Sequence, residues 1–332
     1  MIGRHKHLLS LAPLSREELV SVLQLAASMK EVLRRPIKKV PTLRGKCVVT
    51  LFFEASTRTR TSFETAAKIL SADTMSWAAS TSALSKGETL LDTVRNIEAM
   101  RPDLMVIRHS AAGSPRFVAD RVGCSVVSGG DGAHEHPSQG LLDLYTLAEY
   151  FSGVLQQGGN GVPDFGSIKG KTVAIVGDIT HSRVARSDIN GLVTMGAKVR
   201  VCGPPTMIPK GVEALGVTPS YDLRKTVEGA DAVIFLRIQH ERIGDPLIPG
   251  TREYATFWGL DEEKAAAWLT PGCAVLHPGP VNRGVELSPE VCDGKRSIIL
   301  EQVENGVAVR MAILYLLLGG AQDPATEGAA RT

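Results

Sequence analysis

Short β-branched runs alternate with stretches of helical length through almost the whole chain, and no other feature narrows the fold so far. Residues 47–53, 103–108, 124–127, 172–176, 199–202, 232–236 and 274–276 each read as a buried strand. The segments between them carry apolar residues at helical spacing. Parallel strands need crossover connections, so this alternation predicts an α/β protein whose sheets are covered by helices on both faces. With 332 residues and roughly 150 per domain, two domains are expected. A break in patterning at 152–170, with Gly158-Gly159-Asn160-Gly161 and Pro163, marks their boundary. The expected fold is therefore two doubly wound parallel-sheet domains of similar size joined by interdomain helices. The first spans 1–150 and the second 151–296. An apolar helix over about 297–319 packs back on the first, and 320–332 is a frayed tail.

The first helix announces its own limits. Ser15 with Glu18 forms a capping box, Leu19, Val22, Leu23 and Ala26 make one apolar face, and Pro36 stops the run.

Composition removes several classes of function. Lys plus Arg number 37 against 35 Asp plus Glu, a net charge of +2, which is not the basic footprint of a nucleic-acid binder. Small anions remain possible ligands, because local arginines hold them. The longest aliphatic run, Met311 to Leu318, is far shorter than the roughly 20 residues that cross a bilayer, so no membrane association is expected. The basic N-terminus is not followed by an apolar stretch of the kind found in secretory signals. Five cysteines are dispersed without a C-x-x-C pair, which points to buried thiols in a reducing cytoplasm.

Chemistry concentrates where strands end. After residues 47–53 comes Glu54-Ala55-Ser56-Thr57-Arg58-Thr59-Arg60, with a helix expected to begin near Thr59. Hydroxyls, guanidinium groups and a helix N-terminus together make an anion cradle. The plainer alternative is a hydroxyl-rich cap with solvated arginines. No G-x-G-x-x-G follows the strand at 172–176 and no G-x-x-x-x-G-K-[ST] occurs anywhere, so no cofactor is expected. Around Asp131, His134, Glu135 and His136 two readings stand. The His-x-His pair with its carboxylates resembles a metal cluster, but the second cluster that a site would need is missing. Alternatively, His136 and Gln139 flank a helix starting at Pro137 and face the crevice beyond the strand ends. Arg108, Arg183 and Arg237 each end or follow a strand, a pattern suited to several carboxylate or phosphate oxygens. Finally, His277-Pro278-Gly279-Pro280 offers carbonyls without neighbouring donors and a candidate cis bond at Gly279-Pro280.

Taken in order, Ser56-Thr57-Arg58-Thr59-Arg60, Lys86-Gly87-Glu88-Thr89, Arg108-His109, His136-Pro137-Ser138-Gln139, Arg237-Ile238-Gln239 and His277-Pro278-Gly279-Pro280 resemble the aspartate/ornithine carbamoyltransferase family over nearly the whole chain. The details favour its aspartate branch. The ornithine branch typically carries Cys after the histidine of the last motif and an S-M-G loop; here Pro278 follows His277 and S-M-G does not occur. Cationic partners also suit two carboxylates better than a side-chain ammonium.

The resemblance implies transfer of the carbamoyl group of carbamoyl phosphate to the L-aspartate α-amine, giving N-carbamoyl-L-aspartate and phosphate, the second step of pyrimidine (UMP) biosynthesis. It implies that Ser56, Thr57, Arg58 and Thr59 hold the phosphate, and that Thr59, Arg108 and His136 are catalytic, polarising the carbonyl. Gln139, with Gly279 and Pro280, would take the carbamoyl amide. Lys86, Arg183, Arg237 and Gln239 would hold aspartate. Ser82 and Lys86 would come from the neighbouring subunit of a cytoplasmic homotrimer with shared sites and no metal. Regulatory chains or dihydroorotase are possible further partners. Two departures stand out: Ala55 replaces a proline common in the family, and Asp188 replaces an asparagine, with Arg183 or Arg186 as its expected ion-pair partner. A metal hydrolase using His134 and His136, an ornithine enzyme and a scaffold that has lost catalysis are the competing readings.

Overall fold

The computed structural model describes residues 5–78, 88–238 and 250–319, which fall into two compact units. The first comprises the described residues of Met1–Ser10, Glu17–Gly132 and Gly306–Thr332; the second is Leu11–Arg16 with those of Ala133–Asn305.

In the first unit the chain runs α1 (Arg16–Leu33), β1 (Cys47–Phe52), α2 (Thr57–Ile69), β2 (Asp73–Ala78), α3 (Leu90–Glu98), β3 (Leu104–His109), α4 (Ser114–Ala119) and β4 (Ser125–Asp131). All strand pairs are parallel, in the order β2-β1-β3-β4. The chain leaves β1 towards β2, then returns to the other side of β1 for β3. That reversal puts the topological switch point between β1 and β3, where Phe52 lies opposite Arg108. Val49, Leu51, Val94, Met105, Ile107 and Val126 form the core on one sheet face. The N-terminal segment protects the β4 edge: Leu8 N–H donates to Val126 O and Ser128 N–H to Leu8 O, both at 2.9 Å.

The second unit opens with α5 (Pro137–Phe151) and continues with β5 (Thr172–Val176), α6 (Arg183–Thr194), β6 (Lys198–Cys202), β7 (Val217–Ser220), α7 (Leu223–Val227), β8 (Ala232–Phe235), α8 (Thr251–Trp258), α9 (Glu262–Trp268), β9 (Ala274–Leu276) and α10 (Pro289–Cys292). Its sheet is also parallel, ordered β7-β6-β5-β8-β9. The switch point therefore lies between β5 and β8. The last helix, α11 (Ile299–Leu318), belongs to the second unit up to Asn305 and to the first from Gly306. There Arg310 donates to Ser62 Oγ at 3.1 Å and lies 5.2 Å from the Phe63 ring centroid.

Two strands escaped the sequence reading. β2 is an edge strand with a 40% exposed Met75, and β7 is an edge strand containing Pro219. Edge strands have only one paired side, so they tolerate proline and polar residues that obscure the apolar signature. The helix α5 groups with the second unit because it packs tightly on α6. A Cβ on Gly191 would sit 2.8 Å from Leu144 Cδ1, and one on Gly140 would sit 3.1 Å from the Ser187 carbonyl carbon. Glycine at both positions lets the two backbones approach. No helix among the described residues is long and apolar enough to cross a membrane, and all five cysteines are free.

Candidate active site

The first unit places Ser56 to Thr59 and Arg108, the residues expected to bind an anion, at its own switch point. α2 begins at Thr57, two residues earlier than expected, with Ser56 as an extended N-cap (φ −161°) whose side chain makes no capping bond. Thr57, Arg58 and Thr59 thus occupy the first three helical positions, where backbone N–H groups have no intrahelical acceptor. Thr57 and Arg58 are exposed, whereas Thr59 is buried. Across the switch point, β3 brings up Arg108. Its Nη1 donates to Gly129 O at 3.2 Å, and its Nη2 lies 3.6 Å from Glu54 Oε1. Backbone and carboxylate hold the guanidinium from two sides, so its direction is set before any ligand arrives.

In the second unit, His136 is the buried N-cap of α5. Its backbone N–H donates to Ser187 Oγ on α6 at 2.9 Å, and its Nδ1 is 3.4 Å from Ser138 Oγ. The adjacent Glu135 accepts from Leu11 N–H at 2.8 Å, from Ser187 Oγ at 2.9 Å and from Asn190 Nδ2 at 2.9 Å. Both of its oxygens are occupied in tying the loop to α6, which is the reason for an acidic residue beside the histidines. Asp131 accepts from Gly113 N–H at 2.7 Å. Among the described residues, no group of three or more His, Cys, Asp and Glu side chains could hold a metal ion.

Gln139 is buried one turn into α5, and its Nε2 lies 3.1 Å from each oxygen of Asp143. The i, i+4 spacing made this pair visible in principle. Its continuation was not: Gln302 of α11, 159 residues away, donates to Asp143 Oδ1 at 2.6 Å. The Oε1 of Gln302 accepts from His277 N–H at 3.0 Å. Asp188 is also buried here, against the Asp143 carboxylate rather than in an ion pair with Arg183 or Arg186. The two faces of α6 account for this. Asp188 lies on the inner face of α6 towards α5, whereas Arg186 lies on the exposed face.

Arg183 opens α6 after β5, buried to 2% exposure, and Arg237 follows β8. These strands pair directly, so both arginines follow strands that flank the switch point. The residue after Arg237 is pinned: Ile238 N–H donates to Glu286 Oε1 at 2.8 Å, while Asn282 N–H donates to Glu286 Oε2 at 2.7 Å. Burial pushes the Glu286 carboxyl up from its usual range, against the donors that favour its charge. Past β9, His277 Nδ1 accepts from Gly279 N–H at 2.8 Å, which places the ring proton on Nε2, 3.9 Å from Glu286 Oε2. The Gly279-Pro280 bond is cis, as the sequence suggested. Ser82, Lys86 and Gln239 lie outside the described residues.

Two family models match the chain. Residues 6–149 fit the aspartate/ornithine carbamoyltransferase carbamoyl-P binding domain, and residues 169–317 fit the Asp/Orn binding domain. The chain belongs to the aspartate/ornithine carbamoyltransferase family. Within that family it is 68% identical over 331 residues to an aspartate carbamoyltransferase catalytic subunit of Anaeromyxobacter sp. (strain Fw109-5), covering 100% of both chains. Among solved structures it is similar to aspartate transcarbamoylase from Trypanosoma cruzi in complex with carbamoyl phosphate and aspartate. The TM-score is 0.81 at 26% identity, over 94% of this chain and 96% of that one. An ornithine carbamoyltransferase from Thermus thermophilus gives a TM-score of 0.79 at 26% identity, over 94% and 99%. The carbamoyltransferase fold alone therefore does not separate the two branches; sequence identity does.

Proposed function

We propose that the chain is a catalytic chain that carbamoylates L-aspartate. The observation that carries this reading is that each unit gathers cationic and donor groups at the switch point of its own parallel sheet: Ser56 to Thr59 with Arg108 in one, Arg183 with Arg237 in the other. Two separate anion sites suit a phosphorylated donor and a dicarboxylate acceptor. Residues 1–150 supply the carbamoyl-phosphate domain and 151–296 the aspartate domain, with α5 counted to the first by function although it packs within the second unit.

In this reading the α2 N-terminus and Arg58 hold the phosphate. Thr59, Arg108 and His136 polarise the carbonyl oxygen, where charge develops in the transition state. Gln139 and the loop at Gly279 and Pro280 take the carbamoyl amide. Arg183, Arg237, Gln239 and Lys86 bind the aspartate carboxylates. The aspartate nitrogen attacks the carbonyl carbon, the carbon–oxygen bond to phosphate breaks, and the departing phosphate accepts the amine proton. Most of the acceleration comes from holding two anions in reacting geometry. Ser82 and Lys86 reach the site of a neighbouring copy, which makes the working form a homotrimer, in the cytoplasm; regulatory chains or dihydroorotase are candidate further partners.

A ureido-product assay with carbamoyl phosphate and either L-aspartate or L-ornithine, without added metal, tests the reading. Turnover with aspartate alone is expected. Turnover with ornithine would overturn the assignment of Lys86 and Arg237.

A further inference from the structure

The carbamoyl phosphate reading assigns two elements to the carbamoyl amide: Gln139 on α5 and the loop that begins at His277. In the second unit both are tied to one carboxylate. Asp143 accepts from Gln139 Nε2 at 3.1 Å through each of its oxygens. It accepts at 2.6 Å from Gln302 Nε2, and Gln302 Oε1 holds the backbone N–H of His277. Asp143 is 1% exposed and Gln302 3%, so neither is a solvated surface group.

The fourth member is Asp188, also 1% exposed. No N–H or hydroxyl donor reaches either of its oxygens, yet its carboxyl is in hydrogen-bonding contact with that of Asp143. Two buried carboxylates cannot face one another as anions; one proton must lie between them. Its location follows from the donors. Asp143 receives two amide N–H groups, which favour its charged form, while Asp188 receives none. Burial and the Asp143 charge hold Asp188 well above the usual carboxylate range, in agreement with that assignment.

From this geometry we infer that Asp188 is a neutral carboxylic acid that donates to Asp143, and that Asp143 is a positioning residue for carbamoyl recognition. The consequence is one of amide polarity. Ringed by donors, Asp143 can only accept, so Gln139 must turn its NH2 inward and present Oε1 outward as an acceptor for the carbamoyl NH2. The same carboxylate, through Gln302, fixes the start of the loop whose carbonyls supply the remaining acceptors. Neither Asp143 nor Asp188 touches the substrate. They determine that the site offers acceptors where a carbamoyl group carries N–H bonds.

The inference rests on the proposed function, and acetyl phosphate separates the two. It differs from carbamoyl phosphate in carrying a methyl group where the amide NH2 stands. A site whose buried acceptors expect N–H donors rejects such an analogue strongly. Binding of both ligands by calorimetry should show the wild-type protein preferring carbamoyl phosphate. In Asp143→Asn, which brings an NH2 into a ring of donors, that preference should fall about ten-fold or more, with acetyl phosphate binding little changed. A folded Asp143→Asn protein with the wild-type preference would overturn the positioning role. A wild-type protein without the preference would overturn the substrate reading, and the relay with it.

Should Asp143→Asn fail to fold, Asp188 decides. Wild-type protein should show an infrared C=O band of a protonated, buried carboxylic acid, absent from Asp188→Asn. Asp188→Leu should lose several-fold of the preference, and Asp188→Asn, which keeps a donor, should restore it. Absence of the band, or equal loss in the two variants, would overturn the neutral-acid assignment.

Discussion

Arg108 on β3 holds its Nη2 3.6 Å from Oε1 of Glu54, the first acidic residue after β1. With Gly129 O on the other side, this pair keeps the guanidinium over the switch point of the first sheet. In the proposed reaction Arg108 is a donor to developing charge, and removing such a donor typically costs about 3–4 kcal/mol of transition-state stabilisation. Arg108→Ala is therefore expected to lose kcat/KM by two to three orders of magnitude on that basis. Glu54→Gln should lose less, about ten-fold, because the arginine remains but loses its charged partner. Steady-state kinetics with both variants checks the order; a Glu54→Gln loss as large as that of Arg108→Ala would give Glu54 a role beyond orientation.

Glu286 makes a parallel case in the second unit. Its carboxylate accepts from Ile238 N–H and Asn282 N–H, so it joins the segment carrying Arg237 to the loop past β9. In Glu286→Gln one oxygen becomes an NH2 facing a donor. The expected result is a KM for aspartate raised about ten-fold, with the KM for carbamoyl phosphate changed much less. Equal rises in both constants would show a general loss of packing instead.

Asp188 connects the site to stability. Its carboxyl has a raised affinity for the proton in the folded chain, from burial first and the Asp143 charge second, against an ordinary value of 3.8. Above that pH the unfolded chain has released a proton that the folded chain still holds. Stability contributed by this group is therefore complete below pH 3.8 and declines as pH rises through the folded-state value. Asp188→Asn removes the titration and keeps a donor. Denaturant unfolding should find the variant more stable than wild type at pH 8 and closest to it at the acid end. A variant less stable than wild type at pH 8 would contradict the neutral acid.

The shared site of the proposed trimer is open to a mixing experiment. Lys86→Ala and Arg58→Ala chains should each be inactive alone. Mixed, with subunit exchange verified, they should recover activity at sites built from the unaltered Arg58 of one chain and the unaltered Lys86 of another. No recovery would argue that each chain carries a whole site.

Much of this molecule was legible in one dimension. Buried parallel strands have to be apolar along their whole length, so seven of the nine among the described residues appeared as β-branched runs; the two that did not, β2 and β7, are edge strands for which the constraint is halved. The turn proposed to hold phosphate was legible for a similar reason. A strand end, a hydroxyl-rich turn and a helix N-terminus are adjacent in sequence, and Ser56 to Thr59 needed no distant partner to be recognised. The arginines could be placed at or beyond the ends of their strands, because a parallel sheet sends every strand end to one edge.

What tertiary structure alone decided is which polar side chain answers which. Asp143 collects Gln139 from its own helix, Asp188 from α6 and Gln302 from α11, and no local pattern announces a partner 159 residues away. Asp188 next to Arg183 and Arg186 in sequence invites an ion pair, yet burial turned it towards another carboxylate. Local chemistry sets what each residue can do. In a buried site, desolvation makes every unsatisfied donor and acceptor costly, so the partner that packing brings near determines its charge and direction.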